Sequence, residues 1–109
     1  GLSRGNQASP YRVARLLQGM RGRDEFPAFF DSLSVAGRDG TLRARLRGGA
    51  ARGRCRAKTG TLTGVSAVSG YCTALSGDVY VFSILMNGVN ASGARGLQDR
   101  MLQTIAGVR

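Results

Sequence analysis

The sequence contains no histidine and no tryptophan, and only two prolines and two cysteines. Because histidine and clustered acidic ligands are absent, we expect neither a metal centre nor an organic cofactor. No apolar run of about 18 residues occurs, so no membrane-spanning helix is predicted. The first residues, GLSRGN, have no apolar segment and no initiating methionine. They are therefore not expected to form a signal peptide.

Acidic residues are also scarce, since 6 Asp and Glu stand against 16 Lys and Arg for a net charge of +10. Such a charge is typical of proteins that bind nucleic acid or another anionic polymer, but an arginine-rich surface alone produces it too. The three tyrosines, at positions 11, 71 and 80, are scattered. This argues against recognition of single-stranded nucleic acid, and no nucleic acid partner is expected. A catalytically inactive basic binding module remains an alternative function.

Apolar spacing predicts helices at both ends of the chain. The first is expected to start at Pro10 after an N-cap at Ser9 and to end at Gly19 to Gly22. Three phenylalanines between positions 26 and 30 predict a short second helix with its rings packed inward. A closing amphipathic helix is expected from Gly93 onward. A further short helix is possible at residues 41–46.

Strand patterns dominate the second half of the chain. Strands are expected at residues 54–59, 65–74 and 79–87, the last two joined by the turn Ser76-Gly77-Asp78 as an antiparallel hairpin. The order is helices, a basic irregular stretch, three strands and a helix. It predicts an α+β fold in which helices flank an antiparallel sheet.

Lys58 is the only lysine of the chain and lies in the stretch CRAKTGTLTG, residues 55–64. A phosphate-binding loop is not expected, because Arg52 and Ala57 occupy its two fixed glycine positions and a strand follows. The second pattern is the K-T-G element of penicillin-recognising acyl-transfer enzymes. The tripeptide alone is a weak signal. Its setting is more specific, since a strand ends in K-T-G-T before a turn, a return strand, a hairpin and a helix.

Three segments, GLSRGNQASP, LSVAGRDGTLRARLRG and AKTGTLTGVSAVSGY, occur in that order between positions 1 and 71 of the chain. They closely resemble the C-terminal part of low-molecular-mass class C penicillin-binding proteins, the D-alanyl-D-alanine carboxypeptidase/endopeptidase family. The resemblance implies that residues 1–109 are the C-terminal part of a penicillin-binding, β-lactamase-like transpeptidase domain. It also implies a serine-type peptidase of peptidoglycan stem peptides and cross-links that is inhibited by β-lactams and lies outside the cytoplasmic membrane. A β-lactamase is a third interpretation within the same fold.

The resemblance assigns roles to four consecutive residues. Lys58 would be the catalytic lysine, attracting a peptide carboxylate and taking part in proton transfer. Thr59 would bind the terminal carboxylate with its hydroxyl, and Gly60 would leave room for substrate along the strand edge. Thr61 would supply a backbone N–H to the oxyanion hole. Without the resemblance, both threonines would be read as ordinary strand residues.

The chain also departs from the family pattern. The nucleophile motif S-x-x-K is missing, since Cys55 stands three residues before Lys58, and no S-x-N motif occurs. We read this Cys-Arg-Ala-Lys as coincidence, because a strand does not place residues i and i+3 on one face. The serine is therefore expected from the remaining N-terminal part of the same protein.

Cys55 and Cys72 are expected to lie opposite each other if the turn between the first two strands is centred near Thr63 and Gly64. A cross-strand disulfide is then possible in an extracytoplasmic enzyme. Directly opposed strand positions usually fit disulfide geometry poorly, so two buried free thiols are the favoured prediction.

Overall fold

The computed structural model describes residues 9–62, 65–87 and 90–109. Four strands form one antiparallel sheet in the order β1-β2-β3-β4, with helices against it. The predicted α+β architecture is therefore confirmed. The elements in chain order are α1 (Pro10–Met20), α2 (Phe26–Ser32), β1 (Ser34–Val35), a 3-10 turn (Gly40–Leu42), β2 (Cys55–Leu62), β3 (Val65–Thr73), β4 (Val79–Asn87) and α3 (Ala91–Ala106).

Local sequence signals explain where the helices begin. Ser9 caps α1 by accepting the N–H of Arg12, as predicted, and Pro10 is the first helical residue. Helix α3 starts earlier than Gly93, because Asn90 acts as its N-cap and accepts the Gly93 N–H. The short helix expected at residues 41–46 does not form, and the structure has only the 3-10 turn Gly40–Leu42 in this region.

The two faces of the sheet pack against different helices. Leu102 and Ala106 of α3 join Cys55, Ala57 and other buried residues in the larger core cluster. On the opposite face, a smaller cluster is formed by α1, α2 and the sheet. Its members are Leu17, Leu33 and Tyr71, with the three phenylalanines of α2 partly buried against them. The inward packing of those rings is thus confirmed.

Tyr71 links the sheet to helix α1. It is almost fully buried, and its hydroxyl donates to the carbonyl oxygen of Leu17. Burial raises the pKa of the Tyr71 phenol above its ordinary value of 10.0, while the charge of Arg21 opposes part of this shift. The phenol therefore keeps its proton and remains a donor at neutral pH.

Gly70 marks a place where β2 and β3 leave no room for a side chain. It pairs with Ala57, and a Cβ at this position would overlap the Arg56 carbonyl oxygen and lie 2.8 Å from the Ala57 Cα. We expect Gly70→Ala to destabilise the protein by about 1–3 kcal/mol, because backbone atoms of a central strand would have to move.

Thermal unfolding of the protein tests this expectation, with Gly19→Ala as the matched control. Gly19 lies in α1 and a Cβ there meets nothing within 4 Å. Alanine at this helical site should stabilise by roughly 0.5–1 kcal/mol. A Gly70→Ala protein that unfolds at the wild-type temperature would contradict the packing described.

Candidate active site

The outer edge of β2 is only partly covered. Strand β1 pairs with β2 at two positions, Ser34 with Ala57 and Val35 with Arg56. Strand β2 continues to Leu62 beyond this pairing. Within the described ranges, no strand pairs with the outer side of β2 from residue 58 onward. The K-T-G-T residues 58–61 therefore lie on an open strand edge.

Hydrogen-bond alternation decides which backbone groups point toward this edge. The Cys55 carbonyl accepts from Ala36 beside β1, whereas the Arg54 carbonyl accepts from Thr73 beside β3. In an antiparallel strand successive residues alternate between the two neighbours. The N–H and C=O groups of Thr59 and Thr61 therefore point to the open edge. They form a template to which an extended peptide can add as a further strand.

Lys58 brings a positive charge to the same edge. Its side chain is exposed, and its ammonium group donates to the carbonyl oxygen of Thr59. Its partner on β3 is Ser69, which in turn pairs with Ser83 of β4. None of the ion pairs among the described residues includes Lys58. The ammonium is thus available to an anionic group that lies along the edge.

Thr59 points to the opposite face from Lys58 and is held by two residues that sequence reasoning missed. Its hydroxyl donates to Thr41 Oγ1 at 2.8 Å. The Thr41 N–H donates to Ser34 Oγ at 3.2 Å, so the 3-10 turn is tied to β1. No sequence motif marks Ser34 or Thr41, because only the two-residue strand β1 brings them to β2. Together the three residues place a row of hydroxyl groups at the end of the open edge.

Gly60 and Thr61 complete the predicted set. Gly60 pairs with Ala67 and Thr61 with Ser66 on β3. The four predicted residues do not converge on one face of the sheet, since Lys58 and Gly60 alternate with Thr59. They share the strand edge instead, where two of them expose backbone groups and Lys58 supplies the charge.

A buried polar chain fixes the strand position opposite Thr61. Ser66 and Gln98 are both buried, and the Gln98 amide donates to Ser66 Oγ at 3.1 Å. The Arg45 guanidinium donates to Gln98 Oε1 at 3.2 Å and to Asp99 Oδ1 at 2.6 Å. Helix α3 and the irregular basic stretch thereby anchor β3 where it supports the K-T-G strand.

The cysteines form a disulfide, so the favoured prediction of free thiols is wrong. Cys55 and Cys72 are directly opposed, as expected, although Thr63 and Gly64, where the turn was predicted, lie outside the described residues. The pair is a non-hydrogen-bonded one, because the Cys55 N–H donates to Ala51 and its carbonyl accepts from Ala36. Such pairs approach more closely than their neighbours, and the two Cα atoms are 4.0 Å apart. Cys55 is therefore not a nucleophile in place of the missing serine.

The disulfide leads to a direct chemical test. Ellman titration of the unfolded, unreduced protein should find neither Cys55 nor Cys72 free, and reduction should release both thiols. Since the bridge spans a sequence separation of 17, reduction should cost about 3 kcal/mol of stability through a larger unfolded-state entropy. Two free thiols before reduction would overturn the pairing.

Neither a metal cluster nor a membrane helix emerges from the described part of the chain. Across residues 9–62, 65–87 and 90–109, no group of three cysteine, aspartate or glutamate side chains is placed to hold a metal ion. No helix in these ranges is long and apolar enough to cross a membrane.

Comparison with known proteins gives matches over nearly the whole chain. The family model described as D-Ala-D-Ala carboxypeptidase 3 (S13) matches residues 1–108. A curated relative, the D-alanyl-D-alanine carboxypeptidase of Actinomadura sp. (strain R39), is 40% identical over 111 residues. That alignment covers 97% of this chain but 20% of the relative. The chain thus spans about a fifth of that protein's length.

Solved structures share the fold of this chain. Penicillin binding protein 4 from Haemophilus influenzae matches with a TM-score of 0.84 at 23% identity, over 97% of this chain and 26% of that one. The same protein complexed with a β-lactam matches with a TM-score of 0.78 at 25% identity, over 94% of this chain and 27% of that one. These likenesses confirm the predicted fold.

Proposed function

The chain belongs to the D-Ala-D-Ala carboxypeptidase 3 (S13) family, and from that premise we propose that it is the C-terminal part of a serine DD-peptidase. The whole protein would cleave D-Ala-D-Ala ends or cross-links of peptidoglycan peptides through an acyl-enzyme. Residues 1–109 would contribute the substrate-binding strand, and the remaining N-terminal part would contribute the nucleophilic serine.

The observation that carries this proposal is the open edge of β2 at residues 58–61. An extended stem peptide can pair with the outward N–H and C=O groups of Thr59 and Thr61. The Lys58 ammonium attracts the terminal carboxylate, and the Thr59 hydroxyl donates to it in place of Thr41 Oγ1. Gly60 has no side chain to obstruct a peptide that lies along the strand.

The reaction that this arrangement supports is acyl transfer. The serine oxygen attacks the carbonyl carbon between the two D-alanines, and the carbonyl oxygen becomes negatively charged. The Thr61 N–H donates to that oxygen and stabilises the charge. The C–N bond then breaks, D-alanine leaves after accepting the proton that the serine hydroxyl gave up, and water hydrolyses the serine ester. Lys58 takes part in the proton transfers, which an arginine, always protonated in proteins, cannot do.

β-Lactams are expected inhibitors at the same edge. Their ring amide would acylate the serine while their carboxylate occupies the site of the peptide carboxylate, beside Thr59 and Lys58. The Haemophilus influenzae relative has been solved with a β-lactam, which supports this assignment. The substrate places the enzyme outside the cytoplasmic membrane, and the Cys55–Cys72 disulfide is suited to an oxidising compartment.

Release of D-alanine from a stem pentapeptide by the full-length protein tests the proposed activity. Chromatography of cross-linked muropeptides in parallel would register endopeptidase cleavage. A folded protein that cleaves neither the stem pentapeptide nor the cross-linked muropeptides would contradict the peptidase assignment. Strongly salt-dependent polyanion binding by such an inactive protein would favour the basic binding module. Rapid turnover of penicillin would instead favour the β-lactamase interpretation.

A further inference from the structure

Four arginines line a cleft at the N-terminal end of β2, away from the K-T-G-T residues. We call it the arginine cleft. Its volume is about 530 Å³, within the size range of ligand pockets. The cleft is lined by Arg38, Arg52, Arg54 and Arg56, with Phe30, Gly53 and Thr73. Nothing in the proposed peptidase reaction uses this cleft.

The positive charges of the cleft are largely unneutralised. Only Arg56 has an acidic partner among the described residues, Asp31 at 3.7 Å, and the Asp31 side chain is 75% exposed. Exposed pairs of this kind contribute little. Arg38, Arg52 and Arg54 are exposed and take part in no ion pair within residues 9–62, 65–87 and 90–109. Gathering these like charges costs free energy that a bound anion would recover.

The Arg56 guanidinium is held in place before any ligand binds, and the Arg38 guanidinium lies close to the backbone at Gly53. The Arg56 guanidinium lies over the Phe30 ring, 4.7 Å from its centroid, and donates to the Phe30 carbonyl oxygen at 3.3 Å. The Arg38 guanidinium lies against Gly53, where a Cβ would be 2.9 Å from Arg38 Nη2. Gly53 also has a φ of +73°, a backbone conformation that favours glycine.

We propose that the arginine cleft binds a multivalent phosphate-bearing anion. A guanidinium donates two parallel hydrogen bonds to a phosphate or a carboxylate. A carboxylate offers two acceptor oxygens and a single charge, whereas a terminal phosphate offers three oxygens and up to two charges. Linked phosphates therefore suit the four arginines that line the cleft better than carboxylates do. The inference stands on the cleft alone and does not depend on the proposed peptidase function.

Calorimetric titration of the full-length protein with inorganic tripolyphosphate tests the proposal. The double variant Arg38→Gln with Arg54→Gln should bind it about tenfold more weakly or worse, because charge-assisted hydrogen bonds are lost. The control, Arg12→Gln with Arg100→Gln, removes the same charge from exposed positions on α1 and α3 and should retain wild-type affinity. The double variant Arg38→Lys with Arg54→Lys keeps the charge but loses the paired guanidinium hydrogen bonds, so it should bind with intermediate affinity.

Competition and chain length refine the test. Citrate, a tricarboxylate, should displace tripolyphosphate poorly. Tighter binding of long-chain polyphosphate would support a polymeric ligand, and equal affinity would support a small one. Three results would each overturn the proposal: no binding of tripolyphosphate, the same loss of affinity in both Gln double variants, or an affinity for citrate equal to that for tripolyphosphate. Thermal unfolding of each variant verifies that it is folded, and penicillin acylation of the wild type reports on the peptidase proposal separately.

Discussion

Replacing Lys58 with alanine should slow acylation of the full-length protein by penicillin roughly a thousandfold, within the range that general acid–base groups contribute. The ammonium is the charge that lies on the open edge of β2, beside the Thr59 carbonyl. Its removal would take away both the attraction for a carboxylate and a member of the proton-transfer network. The acylation rate would be measured with a fluorescent penicillin, by quenching the reaction at successive times and quantifying the labelled protein on gels.

Two further variants separate charge from proton transfer. Lys58→Arg keeps the positive charge but cannot release a proton. For this variant, the penicillin concentration that gives half of the maximal acylation rate should stay close to the wild-type value. Its maximal acylation rate should fall nearly as far as in Lys58→Ala. The control is Arg100→Ala, which removes an exposed charge from α3 and should acylate at the wild-type rate. Full activity in Lys58→Arg would show that only the charge matters.

Thr61→Pro should slow acylation by about a hundred- to a thousandfold, the usual effect of losing one oxyanion-hole donor. Proline has no N–H, and the alternation of hydrogen bonds along β2 directs the Thr61 N–H to the open edge. Proline is tolerated at such outward-facing positions of edge strands, so the fold should survive. Acylation rate and thermal unfolding, measured on the same preparation, separate the two effects.

Thr61→Val is the matched control for the proline variant, since it keeps the backbone N–H and the β-branched shape. It should retain most of the acylation rate. Equal loss of rate in the valine and proline variants would contradict a backbone role and assign the effect to the threonine hydroxyl.

Most of the architecture could be predicted from the sequence because its signals are local. Ser9 and Pro10 define the start of α1, and alternation with glycine-bearing turns defines the three longer strands. Strand β1 could not be found this way. It has only two residues, and its existence depends on pairing with Ala57 and Arg56 from a distant part of the chain.

Sequence reasoning could propose only the part of the candidate site that lies on strand β2. The K-T-G tripeptide identifies Lys58, Thr59 and Gly60 by resemblance, and the register then explains why this segment is an open edge. The hydrogen bond that the Thr59 hydroxyl donates to Thr41 arises from tertiary structure and has no sequence signal. The prediction of free thiols is wrong for a related reason. Directly opposed strand positions generally fit disulfide geometry poorly, but the non-hydrogen-bonded positions lie closer together than the hydrogen-bonded ones.

The position of the arginine cleft is a further feature that the sequence alone does not predict. A net charge of +10 says that anions are attracted but not where. Arg52, Arg54 and Arg56 are close in sequence, yet Arg38, from a separate part of the chain, joins them only in the folded structure. A general excess of arginine thus becomes a specific cleft only in three dimensions.

The most direct test of the account is the intact mass of the full-length protein after incubation with penicillin G. We predict a single adduct with the mass of one penicillin per molecule, as expected for a serine ester formed beside the K-T-G strand. An unchanged mass on a protein shown to be folded would contradict the acyl-transfer assignment. The chain would then keep the fold of its family with the function of a basic binding module.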